Sequence, residues 1–93
     1  MKPILVGDKR YRITFQYPHK QSHKRNSVVC QIVLTYPIED HTVQEIVGRG
    51  MASCNLAEDE FSKEIGRRKA LTRAIVDLPK SLRTSLWENY WYR

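Results

Sequence analysis

The hydrophobic pattern of the chain begins with a period of two. Aromatic and β-branched side chains alternate with polar ones between residues 10 and 17, namely Tyr11, Ile13, Phe15 and Tyr17. This alternation is typical of a half-buried β-strand. Residues 28–36 carry Val and Ile on both faces, as expected for a more central strand. Pro18 and Pro37 lack a ladder donor, and we expect them to end these two strands.

A third strand is predicted over residues 43–54, where Gly48 and Gly50 flank Arg49. Glycines at alternate positions leave bare backbone on one face of a strand, or they mark a bulge. Gly66 lies in a predicted helix, where glycine costs about 1 kcal/mol relative to Ala and is expected at a close packing contact. We therefore expect the first helix to cross the third strand at short distance.

The period becomes helical after Asn55, which we expect to cap the N-terminus of the first helix. The helix dipole favours acidic residues in the first turn, which here would be Glu58, Asp59 and Glu60. Helical spacing continues to about residue 77. Pro79 begins a second helix with an apolar and aromatic face, made of Leu82, Leu86, Trp87, Tyr90 and Trp91. The sequence thus predicts one α+β domain over residues 1–93, with a three-stranded antiparallel sheet followed by two helices packed on one face.

The composition is that of one small, basic protein. Ninety-three residues with 41% apolar content suffice for a thin core and leave no room for a deep cofactor cavity. Sixteen Lys and Arg against ten Asp and Glu give a net charge of +6, which favours phosphates, nucleic acids or acidic proteins as partners. Two cysteines make no disulfide framework, and no apolar run suits a signal peptide or a membrane span. We expect a cytoplasmic protein with no cofactor and no membrane contact.

Basic residues gather on the first strand, in the loop after it, between the two glycines and on the first helix. The candidate nucleic-acid or anion-binding residues are Arg10, Arg12, Lys20, Lys24, Arg25, Arg49, Arg67 and Arg68. Phosphate binding needs several cations that converge, because each contact adds only a small, salt-dependent term. The alternative is that these are solvated side chains that keep a small protein soluble.

Patterns for catalysis and for metal binding are weak. His19 and His23 are four residues apart in a predicted loop, and no cysteine pair accompanies them. Cys54 and His41 could serve as nucleophile and base, yet no orienting acid or oxyanion loop is recognisable beside them. We therefore predict a protein that is not an enzyme and has no metal site.

The C-terminal segment is dense in aromatic residues. Trp87 and Trp91 are four residues apart on the second helix and are the candidate protein-interface residues. At least one of them is expected in the core. The other is open to a homodimer contact, a protein partner or stacking on bases.

The junction between the third strand and the first helix carries a recognisable pattern. The strand ends in a small residue and Cys54, and Asp59-x-Phe61 and Gly66 follow it. The helix then contains Ala70-Leu71-x-Arg73-Ala74. This segment, about a quarter of the chain, is similar to a pattern in small proteins encoded by bacteriophages. Members of that group with an assigned activity counter host defence, as anti-CRISPR proteins that bind an effector complex or as sponges for a cyclic nucleotide signal. The resemblance implies a phage accessory protein that acts in the host cytoplasm by binding.

Gly48-Arg49-Gly50 and the later run Gly66-Arg67-Arg68-Lys69-Ala70 also resemble, more faintly, double-stranded-RNA-binding domains. The third strand of that family ends in Gly-x-Gly and leads into a basic helix. In this chain about fifteen residues separate the glycines from the basic run, and no helix is predicted before the first strand.

These observations predict a non-catalytic inhibitor of a host nucleic-acid-directed defence, of the anti-CRISPR type. It would bind an effector protein, a nucleoprotein complex or the DNA or RNA itself through the basic surface, with Trp87 or Trp91 as an anchor on a protein partner. One alternative is a nucleic-acid-binding regulatory module. Another is a cyclic-nucleotide sponge in which Arg49, Arg67 or Arg68 clamps the phosphates.

Overall fold

A computed structural model describes residues 2–17, 25–55 and 63–92 of the chain. The elements follow in the order β1 (Ile4–Val6), β2 (Lys9–Gln16), β3 (Arg25–Ile38), β4 (His41–Asn55), α1 (Lys63–Ile75) and α2 (Lys80–Trp91). All strand pairs are antiparallel, and the spatial order of the sheet equals the chain order, β1-β2-β3-β4. The predicted α+β class with an antiparallel sheet and two helices is confirmed.

The sheet has four strands, so the predicted number of three is wrong. The additional strand β1 pairs with β2 through a turn at Gly7 and Asp8, with Val6 opposite Lys9. Gly7 has a φ of 63°, which favours glycine. Three apolar residues are too few for a periodicity to be read, and the Gly-Asp pair before an alternating strand is the signal that identifies this hairpin.

The hairpin of β3 and β4 is longer than the sequence predicts. Pro37 does not end β3, because it pairs with Thr42 at a point where the β2–β3 ladder has already stopped at Arg10 and Thr35. Its missing N–H therefore removes no hydrogen bond to β2. A two-residue turn at Glu39 and Asp40 closes the hairpin.

The start of the first helix lies outside the described residues, which resume at Lys63. Asn55, predicted as its cap, is the last residue of β4 and pairs with Arg25 of β3, so β4 extends one residue beyond the predicted strand. The expected acidic first turn, residues 58–60, lies outside the described residues. α1 ends at Ile75, where the Leu78 N–H donates to the Ile75 carbonyl at 3.0 Å, and Pro79 then precedes α2.

Both helices contribute to a core on one face of the sheet, as predicted. The residues of the core cluster come from β2, β3, β4 and both helices: Ile13, Val28, Cys30, Ile32, Ala52, Ala70, Leu71, Ala74, Ile75, Leu86 and Tyr90. In β3 these are even-numbered positions, so the odd-numbered side chains point to the opposite face, where Val29 is also buried. The sheet and the helices thus form two layers around one core.

α1 approaches β4 most closely at Gly48 and Gly50. A Cβ atom on Gly50 would overlap the Ala70 carbonyl oxygen and the Ala74 nitrogen and would lie 2.7 Å from the Cβ of Arg73. A Cβ on Gly48 would overlap the Ala74 carbonyl oxygen. The prediction that the first helix crosses this strand at short distance is therefore confirmed, and the reason is contact with helix backbone.

We expect Gly50→Ala to destabilise the fold by about 3 kcal/mol, the upper end of what overpacking usually costs. The added methyl meets backbone atoms of α1, which cannot rotate away as a side chain can. Urea denaturation followed by circular dichroism measures the change. Gln44→Ala on the exposed surface of the same strand is the control and should change the free energy of unfolding by less than about 0.5 kcal/mol. Equal effects of the two substitutions would contradict the close contact.

Candidate functional site

The face of the sheet opposite the helices has no described element packed on it. We call this surface the open face. Strand register and alternation give its central positions as Arg10, Arg12, Thr14 and Gln16 of β2, Val29, Gln31, Val33 and Thr35 of β3, and Gln44, Ile46, Arg49 and Met51 of β4. None of these twelve positions carries a carboxylate.

Three of the predicted anion-binding residues share the open face. Arg10 and Arg12 are two residues apart on β2, a spacing of roughly 7 Å along a strand. Arg12 pairs with Val33, whereas Arg49 pairs with Gln31 on the other side of β3. β2 and β4 are two strand spacings apart, roughly 10 Å. All three arginines are exposed, and their long side chains can reach a common ligand laid across β3.

The two glycines explain why Arg49 belongs to this surface. Gly48 and Gly50 face α1 at a distance that excludes a side chain. The residue between them points to the opposite face, because side chains alternate along a strand. Helix packing on one face thus presents an arginine on the other.

Amide and hydroxyl groups lie between the arginines. The Gln16 Nε2 donates to the Gln31 Oε1 at 3.4 Å, and the Thr14 hydroxyl donates to the Gln31 carbonyl at 3.4 Å. Such side chains commonly contact phosphate and sugar groups beside arginine. Sequence reasoning missed Gln31, because the apolar content of the second strand predicts burial on both faces. The alternation of Gln31 and Thr35 with Ile32 and Leu34 is the signal that reveals the polar face.

The other predicted cations do not join this surface as one cluster. Lys20 and Lys24 lie outside the described residues, and Arg25 is described only as the first backbone position of β3. Arg67 and Arg68 lie on α1, in the layer on the opposite side of the sheet. Of the three arginines predicted to clamp a cyclic nucleotide, Arg49 is therefore on the other side of the sheet from Arg67 and Arg68.

Arg68 is exposed and contacts two other residues of the helical layer. Its Nε lies 3.4 Å from the Glu64 Oε1, and its guanidinium carbon lies 5.1 Å from the centre of the Trp91 ring. Glu64 also accepts a hydrogen bond of 2.8 Å from the Tyr90 hydroxyl. These contacts connect α1 to α2.

Trp87 and Trp91 stack on each other instead of forming two separate anchors. Their ring centres are 6.2 Å apart with an angle of 24° between the planes. Trp87 is half-buried against the core and meets Tyr90 edge-on, whereas Trp91 remains 52% exposed. Trp87 is therefore the core tryptophan, and Trp91 is the one available to a partner.

The geometry rules out the one nucleophile–base pair that the sequence offered. His41 and Cys54 lie near opposite ends of β4, thirteen residues apart and thus separated by roughly 40 Å of extended strand. Cys30 is buried, and burial raises the pKa of its thiol from 9.0 to about 12. A thiol that stays protonated is a poor nucleophile and a poor metal ligand.

Metal-binding and membrane-spanning features are absent from the described ranges. Among those residues, no three or more His, Cys, Asp or Glu side chains come together to hold a metal ion. The predicted pair His19 and His23 lies outside them. Neither described helix is long and apolar enough to span a membrane.

Comparison with protein-family models, with curated proteins and with solved structures finds no match for this chain.

We expect Trp87→Ala to cost about 3 kcal/mol of unfolding free energy and Trp91→Ala about 1 kcal/mol. The first substitution leaves a gap beside Tyr90 and the core, whereas the second removes a stacked ring and a cation–π contact at the surface. Thermal and urea unfolding of both variants measure the difference. A larger loss for Trp91→Ala would place that ring in the core and remove it as an interface residue.

Proposed function

We propose that the protein is a non-catalytic inhibitor of a host nucleic-acid-directed defence, and that it binds the phosphate backbone of a nucleic acid on the open face. The observation that carries the binding step is the set of three exposed arginines, Arg10, Arg12 and Arg49, on a surface whose central positions include no carboxylate. An anion placed there meets attraction from both sides of β3 and no carboxylate at the twelve central positions, while Asp8 lies beside Arg10 at the end of the sheet.

The composition of the open face supports a backbone ligand over a small nucleotide. Tyr11 and Phe15 pack on the core side, and none of the twelve central positions is aromatic. A nucleotide site would need a ring or a pocket for the base together with several cations. The depression of about 410 Å³ beside Tyr36 has Arg10 as its one arginine and also contains Asp8. The arginines here are spread over roughly 10 Å across the strands and roughly 13 Å along them, which suits a ligand with several phosphates.

The proposed role in counter-defence is supported by the resemblance of residues 50–74 to phage-encoded proteins. In the structure, Gly50, Ala70 and Ala74 of that segment are the contact between β4 and α1. These residues therefore have a packing role in this chain, and the binding residues of the proposal lie elsewhere, on the open face. Binding there would shield the nucleic acid, or the nucleoprotein that carries it, from the defence.

We expect the triple variant Arg10→Gln, Arg12→Gln, Arg49→Gln to lose at least roughly tenfold in affinity for nucleic acid at moderate salt. The slope of log K against log salt should become shallower by about 2 to 3, because each lost phosphate contact removes about 0.9 from it. Fluorescence anisotropy with a labelled oligonucleotide over a salt series measures both quantities.

The matched control for this experiment removes three cations from other surfaces, Lys9→Gln, Lys69→Gln, Lys80→Gln. It lowers the net charge equally and should leave most of the slope in place. A separate variant that reverses Lys20, Lys24 and Arg25 measures the contribution of the loop. Equal losses in the two triple variants would mean that only net charge matters and would contradict an open-face site.

The inhibitory role is tested by capture of the tagged protein from a phage host that expresses its defence systems, with and without nuclease treatment. We expect a specific defence protein or nucleoprotein complex to be recovered by the wild type and lost by the open-face triple variant. Nucleic acid alone, lost after nuclease, would leave general nucleic-acid binding and would contradict the inhibitor proposal. Trp91→Ala in parallel reports whether the exposed ring anchors a protein partner.

A further inference from the structure

The two outer strands of the sheet are protected unequally. β1 has only three residues, and the Asn89 side chain donates to the nearby Lys2 carbonyl at 2.7 Å. On β4, the Arg73 Nη1 donates to the Met51 carbonyl at 2.6 Å, which occupies the outer edge of that strand. Short edge strands and covering side chains are the usual protection against edge-to-edge pairing.

The segment 42–46 of β4 has no such protection among the described residues. Its sequence, Thr-Val-Gln-Glu-Ile, contains no Lys and no Pro, and Ile46 is 58% exposed. In a two-residue hairpin, the residues that flank the turn, Ile38 and His41, form a hydrogen-bonded pair. Hydrogen-bonded and non-hydrogen-bonded pairs alternate along an antiparallel ladder. The N–H and C=O groups of Thr42, Gln44 and Ile46 therefore point away from β3, toward the outer edge of the sheet. The bulge at Val47 then shifts this alternation, in agreement with the outward Met51 carbonyl.

The same segment is self-complementary in an antiparallel register. With Gln44 opposite Gln44 of a second copy, Thr42 lies opposite Ile46, and all three outward-pointing positions find backbone partners. Glu45 lies opposite Val43 of the second copy, so no like charges are directly opposed. Glu45 is also occupied by a 2.7 Å hydrogen bond from the Tyr36 hydroxyl.

Charge complementarity favours this register as well. The turn at Glu39 and Asp40 lies four to five residues before Gln44 along the chain. Arg49 lies five residues after Gln44, but the unpaired bulge residue Val47 shortens this separation by one residue along the strand. The acidic turn and Arg49 are thus each roughly 13 to 17 Å from Gln44. Arg49 and Arg73 line a depression of about 270 Å³ beside β4, which also contains Asp77. The acidic turn of each copy therefore reaches a depression with two arginines and one carboxylate on the other.

We propose that the protein forms a two-fold symmetric dimer in which the 42–46 edges of two copies pair antiparallel about Gln44. The acidic turn of each copy lies against Arg49 and Arg73 of the other. Both copies contribute the same surface, which is the condition for a closed dimer. The pairing continues the sheet to eight strands and places two open faces side by side.

The first test is Gln44→Pro, which removes the central outward N–H and is tolerated at a strand edge. We expect wild-type protein to shift from monomer to dimer over a concentration series in sedimentation velocity, and the variant to remain monomeric. Thr42→Pro removes the neighbouring outward N–H and lies outside the twelve central positions of the open face, so the monomer of this second variant should keep its affinity for nucleic acid. Failure of this proposal is thus distinguishable from failure of the proposed function. A wild type that stays monomeric at all concentrations would overturn the dimer.

A charge exchange tests the register without relying on proline. Glu39→Lys with Asp40→Lys, and separately Arg49→Glu, should each weaken dimerisation at least roughly tenfold through like-charge contacts. An equimolar mixture of the two variants should restore a mixed dimer. In one of its two contacts, the turn that carries the lysines faces the depression that carries Arg49→Glu. In the other contact, a native acidic turn faces a native depression. Failure of the mixture to associate would overturn the register.

Two further outcomes would overturn the proposal in favour of other contacts. A wild-type dimer that survives Gln44→Pro and is lost in Trp91→Ala would place the interface at the exposed tryptophan. A monomer whose capture of a defined defence protein is lost in Gln44→Pro would assign the edge to a strand of that protein.

Discussion

The close approach of α1 to the bare backbone of Gly48 and Gly50 is the constraint on which the rest of the molecule depends. Because helix backbone occupies the space of two side chains, the first helix lies flat on the sheet and its alanines meet β4. Arg49, between the glycines, is directed to the far side. Arg73, one turn along the contact, reaches the Met51 carbonyl and covers one half of the strand edge. One packing contact therefore presents a cation on the open face and determines which part of the edge stays unprotected.

The glycine contact is also the part of the architecture that the sequence predicted best, since glycines at alternate strand positions commonly mark the close approach of another backbone. The fourth strand escaped prediction because three residues, Ile4–Val6, show no period, and only the Gly-Asp turn marks them. The start of β3 illustrates a different limit. The polar composition around Arg25 predicts a loop, but pairing with Asn55 begins the strand there, so a long-range contact overrides a short-range preference.

The candidate site was predicted only in part, and the physical reason is register. Arg10 and Arg12 could be placed on one face from alternation alone. That Arg49 shares this face depends on the bulge at Val47, which reverses the parity of β4 relative to its first half. Arg68 shows the converse, because a basic run on a helix looks like an anion site until the contacts with Glu64 and Trp91 are known. The sequence identifies candidate anion-binding residues. Strand register and the layer in which each residue lies determine which of them share a surface.

The two proposals are coupled by electrostatics. Two copies with a net charge of +6 each repel one another, and only the local match of the acidic turn with Arg49 and Arg73 opposes that repulsion. A nucleic acid that crosses both open faces would neutralise much of the remaining charge. Because the acidic turn of the other copy lies against Arg49, the ligand gains from pairing through Arg10 and Arg12 of both copies. By linkage, it changes the dimerisation constant by the same factor by which pairing changes its affinity. A ligand too short to span both faces gains nothing from the second copy, so coupling of the two equilibria depends on ligand length.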